Sequence, residues 1–497
     1  MWVVARRRNP VRFRRTALLG VVLVLSGCGL RVDPELRAQG IRGATAAGAA
    51  AGAATDAQGQ TGAPGTADPV TGAPTGGTAG APVAGRGGPV SGPAAGGPAR
   101  SAGGTGVPAP AGGNGGATDV GVTGTSVTFG NVTTLSGPVP GLFAGAVYGA
   151  RAYFAYQNSL GGVFGRQLEL SATDDQLDCG QNRARHLDLA PKVFAFAGSL
   201  SLYDNCGAEV MAKNPKVANV SLAFSPQAGA LANNFSVVPL IPGYRLGSLL
   251  YYKNKYPQAI TRMATLYGNV GAAPGIWRNV KESAESVGYE VVYERAYTAG
   301  ETDFTADIIQ MRQAGVQMIY FISADAATIA RVANTAAQQQ WKPQVFAVGA
   351  GNAAYDPGFL AQAGAAANGM VMDQPQALFF SKTDAANIPG VALYQQWMAK
   401  IGQGSRMDLY SAWGWGQALL AVQALKAAGP RPTRAGYVAA LKKIHSFDGD
   451  GMFSPTDPAS KKPAMCYVVL TVQGGEFRRI DSPADRFRCD GGYYYVR

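Results

Sequence analysis

Between Gly29 and Thr128 this chain of 497 residues carries not one Phe, Tyr or Trp. Stretches such as GAATDAQGQTGAPGTADPVTGAPTGG have no hydrophobic period and cannot bury enough surface to offset the entropy of ordering a chain. Residues 28–125 are therefore expected to be a disordered Gly/Ala/Pro/Thr-rich tether. Roughly 85 such residues span about 50 Å as a random coil. The folded body is expected over residues 126–497, long enough for two domains with cores of their own.

The segment before the tether reads as an export signal. Arg6, Arg7, Arg8, Arg12, Arg14 and Arg15 precede a short apolar run, Ala17–Leu25, with no acid among the first 27 residues. A basic region, an apolar region and small residues make up a signal peptide, and the run is shorter than the roughly 20 apolar residues a membrane span needs. Leu25-Ser26-Gly27-Cys28 resembles the lipobox of bacterial lipoproteins, in which the cysteine takes a lipid and becomes the mature N-terminus. On that reading residues 1–27 are removed and Cys28 anchors the protein to the membrane on its extracytoplasmic side. Loss of the six arginines lowers the net charge from +12 to +6. No basic stretch is interleaved with aromatics, so no nucleic-acid partner is expected.

Within the body, short apolar runs alternate with amphipathic ones. SVTFGNVTTL (126–135), RQLELSATDD, VFAFAGSL (193–200), VANVSLAF (217–224), TRMATLYG, EVVYERAY, QMIYFIS and PQVFAVG read as strands. GIWRNVKESAESVG and DAATIARVANTAAQQQ read as helices between them. Such alternation predicts an α/β fold with mostly parallel sheets flanked by helices, whose ligands bind beyond the carboxyl ends of the strands. Besides Cys28 there are four cysteines, which allow three pairings. Local pairing, Cys179–Cys206 and Cys466–Cys489, is the expectation for an oxidising compartment.

Catalytic patterns are missing from this sequence. Its two histidines, His186 and His445, lie in helical stretches and read as packing or surface residues. There is no zinc spacing, no phosphate loop and no nucleophile elbow. Asp174 and Asp175, adjacent at a strand end, point in different directions and read as turn or capping residues. No enzyme activity, cofactor or metal is expected. Trp413 and Trp415, beside Leu419 and Leu420, read as core.

The order of segments resembles the leucine/isoleucine/valine-binding family of ABC-transporter substrate-binding proteins. LSGPVPGLFAGAVYGARAYFAYQNSLGGVFGRQLELSATDDQ carries the landmarks: a Ser-Gly-Pro turn at Ser136, a helix ending at Asn158, a Gly-Gly turn at Gly161, Gly165-Arg166 and an Asp-Asp pair. AYTAGETDFTADIIQMRQAGVQMIYF (296–321) is similar to the family's second-lobe stretch, including Asp303-Phe304. The resemblance implies a two-lobe type I periplasmic-binding fold with a three-crossover hinge. Lobe 1 would hold 126–242 and 373–450, lobe 2 243–372 and 451–497. A first-lobe disulfide near Cys179 and Cys206 also occurs in relatives.

The resemblance also implies a ligand site. First-lobe hydroxyls and backbone N–H groups would grip an anionic group: Ser136, Leu142, Phe143, Ser199, Ser201, Tyr203, Ala223 and Ser225. In the second lobe the family's clamping tyrosine would fall near Ala272 and its ammonium-binding acid near Ala350. Neither position holds the expected residue type, and Tyr267, Asn269, Asp325 and Asn352 are the nearby substitutes. An α-ammonium buried without a partner costs several kcal/mol, so the amino-acid label depends on Asp325. The implied function is capture of a small polar solute (amino acid, amide or small organic acid) by a monomer that delivers it to ABC permease subunits. The alternative is a sensing module of the same fold.

Overall fold

A computed structural model describes residues 106–349, 352–481 and 486–496. The signal segment, Cys28 and most of the tether lie outside the described residues.

The strand β1 (Ser126–Thr133) is buried along almost its whole length, as a strand covered on both faces must be. It sits inside a five-stranded, wholly parallel sheet with β2 (Gln167–Asp174), β3 (Ala195–Ala197), β4 (Asn219–Val220) and β5 (Asn234–Phe235), in the order β2-β1-β3-β4-β5. β4 is shorter than its apolar run predicts. The side-chain amides of Asn233 and Asn234 take the carbonyls of Val217, Asn219 and Ser221, ending the ladder early. Two helices, Ala144–Ser159 and Leu409–Ala428, pack closely together on this sheet. Their approach depends on missing side chains. A Cβ on Gly149 would lie 1.8 Å from the Ser411 carbonyl oxygen, and one on Gly414 2.0 Å from that of Ala146.

The second sheet is built from β7 (Met263–Gly268), β8 (Val291–Tyr297), β9 (Met318–Phe321), β10 (Val345–Val348), β11 (Val371–Gln374), β12 (Val468–Gln473) and β13 (Glu476–Arg479). Its order is β13-β12-β11-β10-β9-β7-β8, parallel from β11 to β8 and antiparallel at β12 and β13. A separate antiparallel pair joins β6 (Gly243–Arg245) to β14 (Tyr493–Tyr495). Helices Ala273–Glu285 and Ala326–Gln338 alternate with the strands where the amphipathic pattern places them.

Three segments, 236–242, 375–381 and 442–467, connect the elements of the two sheets. The expected boundary at 372/373 falls inside β11. Asp373 stays in the second sheet because its buried carboxylate takes Arg245 and the hydroxyls of Tyr244 and Tyr320. Cys179 pairs with Cys206 and Cys466 with Cys489. Asp174 and Asp175 do organise turns: Asp174 accepts from the N–H groups of Leu135, Ser136 and Gln176, and Asp175 from Thr134, Leu177 and Asn182. His186 is buried against Phe196, and His445 lies near Asp457 at the surface.

Residues 106–125, read from composition as the end of the tether, are packed against the first lobe. Arg166, only 1% exposed, donates to the carbonyls of Thr123, Pro430, Asn114 and Gly116. Thr118 donates to the Pro432 carbonyl, and Asp119 accepts from the Arg434 N–H. Composition registers only what a segment can bury by itself, and here a buried guanidinium supplies the donors. Among the described residues no helix is long and apolar enough to cross a membrane.

Candidate ligand-binding cleft

The strands β7, β9 and β10 end at Gly268, Phe321 and Val348, and all three ends open on a cavity of about 170 Å³. Opposite them stand first-lobe residues Leu142, Phe143, Phe224, Tyr410 and Trp413. Phe143 stacks on Phe224 and meets Tyr410 edge-on at 4.8 Å, so this wall is a packed aromatic cluster. The first crossover, Val238–Pro242, closes one side.

The walls are mostly apolar, and the two charged residues among them are already engaged. Arg245 is ion-paired to Asp373, whose side chain is fully buried. Asp325 caps helix Ala326–Gln338, accepting from Thr328 N at 2.9 Å and Thr328 Oγ1 at 2.7 Å. Tyr297 and Tyr410 also line the cavity. Burial, reinforced for Tyr297 by Asp325 and for Tyr410 by Asp408 and then Asp325, pushes both phenols well up. They therefore stay protonated donors. Trp413 is 5% exposed and its indole N–H is buried without a partner.

Of the residues expected from sequence, Leu142, Phe143 and Asp325 line the cavity; the others do not. Ser136 is spent on Asp174. Ser199 accepts from the Val132 N–H and Ser201 from the Tyr203 N–H, each satisfying loop backbone. Tyr203 precedes helix Asp204–Ala212 and packs against the core. Ala223 is buried with Ala208 and Ala228. Ser225 caps the short helix Pro226–Ala230 and its N–H donates to Asp204. Tyr267 stacks on Trp277, Asn269 is exposed with its N–H on the Tyr297 carbonyl, and Asn352 donates to Gln374. The two tryptophans divide: Trp415 is core, as expected, while Trp413 lines the cavity. Sequence reasoning missed Phe224, Tyr297, Tyr410 and the first crossover. The apolar, proline-bearing run VVPLIP (237–242) was the available signal for the last of these.

The family described as periplasmic binding protein matches residues 126–476. The chain belongs to that family. No curated protein sequence matches it significantly, but many solved structures share its fold. A fatty acid ABC transporter substrate-binding protein from Thermomonospora curvata superposes with a TM-score of 0.64 at 20% identity, covering 73% of this chain and 93% of that one. A branched-chain amino acid ABC transporter protein from Thermus thermophilus, with bound valine, gives 0.60 at 17% identity, covering 75% and 97%. A solute-binding protein from R. palustris in complex with 4-hydroxybenzoate gives 0.60 at 15% identity, covering 74% and 97%. At these identities the likeness establishes the fold: two α/β lobes of the type I periplasmic-binding class.

Proposed function

We propose that this chain is an extracytoplasmic solute-binding protein, anchored by a lipid on Cys28, that closes its two lobes on a ligand and delivers it to the permease of an ABC importer. The ligand is an organic acid with a predominantly apolar body rather than an α-amino acid. One observation carries this reading: the cavity between the lobes has mostly apolar walls, its arginine is paired to Asp373, and its one acid, Asp325, already holds the cap of a helix. An α-ammonium brought there would meet an Asp325 carboxylate already held by Thr328, whereas a carboxylate meets hydroxyl and indole donors from Tyr297, Tyr410 and Trp413. Relatives of this fold include one protein named for a fatty acid and one bound to 4-hydroxybenzoate, both apolar-bodied acids.

Melting temperature against a solute panel tests the proposal. The panel holds branched-chain amino acids, amides, and aliphatic and aromatic acids, and the protein is the mature chain carrying Cys28→Ala to keep it unlipidated. A ligand at about 100 times its dissociation constant adds roughly 2.7 kcal/mol to stability. Acids are expected to raise the melting temperature and leucine to leave it unchanged; a leucine response equal to the best acid overturns the ligand class.

A further inference from the structure

The cavity between the lobes, about 170 Å³, draws its lining from both lobes. One part lies in the cleft. The rest continues past the first crossover into the second lobe, bounded by β6, by Ile276, Asn279 and Val280 of helix Ala273–Glu285, by Pro463 and Ala464, and by Tyr493 of β14.

Two features of this second arm point to one kind of occupant. Much of its lining is apolar, and two of its polar groups are tied internally: Arg245 to Asp373, and the Tyr493 hydroxyl to the Ile241 carbonyl at 2.8 Å. Its surroundings are also unusually apolar at the surface. Leu240, itself on the lining, is 36% exposed; Met465, next to Ala464, is 46% exposed; and Tyr495, whose ring lies 5.0 Å from that of Tyr493, is 58% exposed. Exposed apolar side chains on or beside such a lining favour contact with apolar material. Much of its wall is the apolar surface of Ile276, Val280, Pro463 and Ala464, which offers a hydrated group little in exchange for its water.

We propose that the second arm receives the tail of an aliphatic acid whose carboxylate lies in the cleft among Tyr297, Tyr410 and Trp413. This inference rests on the solute-binding reading above and deepens it by naming the substrate class. Selectivity would then come from chain length: a tail that stops in the cleft gains nothing from the arm, and each methylene entering it tightens binding about fourfold.

Calorimetric titration of the mature Cys28→Ala chain with butanoate, octanoate and dodecanoate, each below its micelle concentration, tests this, with leucine as a control. Affinity should climb from butanoate to dodecanoate by at least 100-fold. Ile276→Trp, which fills the arm from a half-buried position, should weaken dodecanoate at least tenfold and leave butanoate within twofold. Asn279→Trp repeats the test should the first variant fold poorly by circular dichroism. Affinity independent of chain length, or an equal loss for short and long acids in both variants, overturns the arm while leaving the binding-protein reading intact. Binding of none of these solutes overturns both.

Discussion

Arg166 shows how one side chain can decide where a folded body begins. Its guanidinium binds four carbonyls contributed by residues 114–123 and by Pro430. Arg166→Ala should cost about 3 kcal/mol, since buried acceptors left without donors cost about 1–3 kcal/mol each and partial rehydration recovers some of that. A urea midpoint, together with new proteolytic cleavage between residues 106 and 124, checks it. Two carboxyls carry a pH signature. Burial pushes Asp204 and Asp408 up to about 6 from an ordinary value of 3.8. The folded state therefore holds protons that the unfolded chain has released, and stability falls as pH rises from about 4 to 6. Carboxyls held low, such as Asp174 and Asp490, contribute in the opposite sense only below that window. Asp408→Asn keeps a cap acceptor for the Ser411 N–H and should shrink the gain in melting temperature between pH 7 and pH 5. At this scale the sequence was least legible. Ser199, Ser201 and Ser225 have the hydroxyls an anion site needs, but loop backbone claims them first. A hydroxyl's partner is set by geometry a few ångströms across, which no spacing in one dimension reveals.

Elements were far easier to read. Buried parallel strands leave continuous apolar runs, and β1, β7, β9 and β10 lie within the runs that predict them, as do the less buried edge strands β2 and β8. The segments between sheets were not legible, because a crossover has no period. Val238–Pro242 has no periodic pattern and is a wall of the cavity. The C-terminal strand makes the same point. β14 reaches β6 from the far end of the chain, and the Cys466–Cys489 bridge, with a sequence separation of 23, ties it down. Replacing both cysteines by serine should cost about 3.5 kcal/mol on the loop-entropy model. Because Tyr493 lines the cavity, the same change should lower ligand affinity, whereas opening Cys179–Cys206 should lower stability alone. Melting curves and titrations of the two double variants separate these outcomes.

Across the whole molecule, the two sheets move as bodies only insofar as their connections allow, and hinge closure uses a few such segments. Lys461, in the third crossover, donates to the carbonyls of Gly229, Leu231 and Asn234 in the first lobe. Lys461→Met should cost about 2 kcal/mol by leaving those acceptors unpaired and should enlarge the ligand-free radius of gyration measured by X-ray scattering. Addition of ligand should return it toward the closed value. An unchanged radius would place the hinge's restraint elsewhere. The fastening of residues 106–124 has a mechanical corollary. The groups that hold this segment, among them Val163, Phe164, Arg166, Pro430, Pro432 and Arg434, belong to the first lobe. A pull transmitted through residue 106 therefore loads one lobe and exerts no torque between the two. On the lipid-anchored reading proposed above, tension on the anchor performs no work on opening or closing.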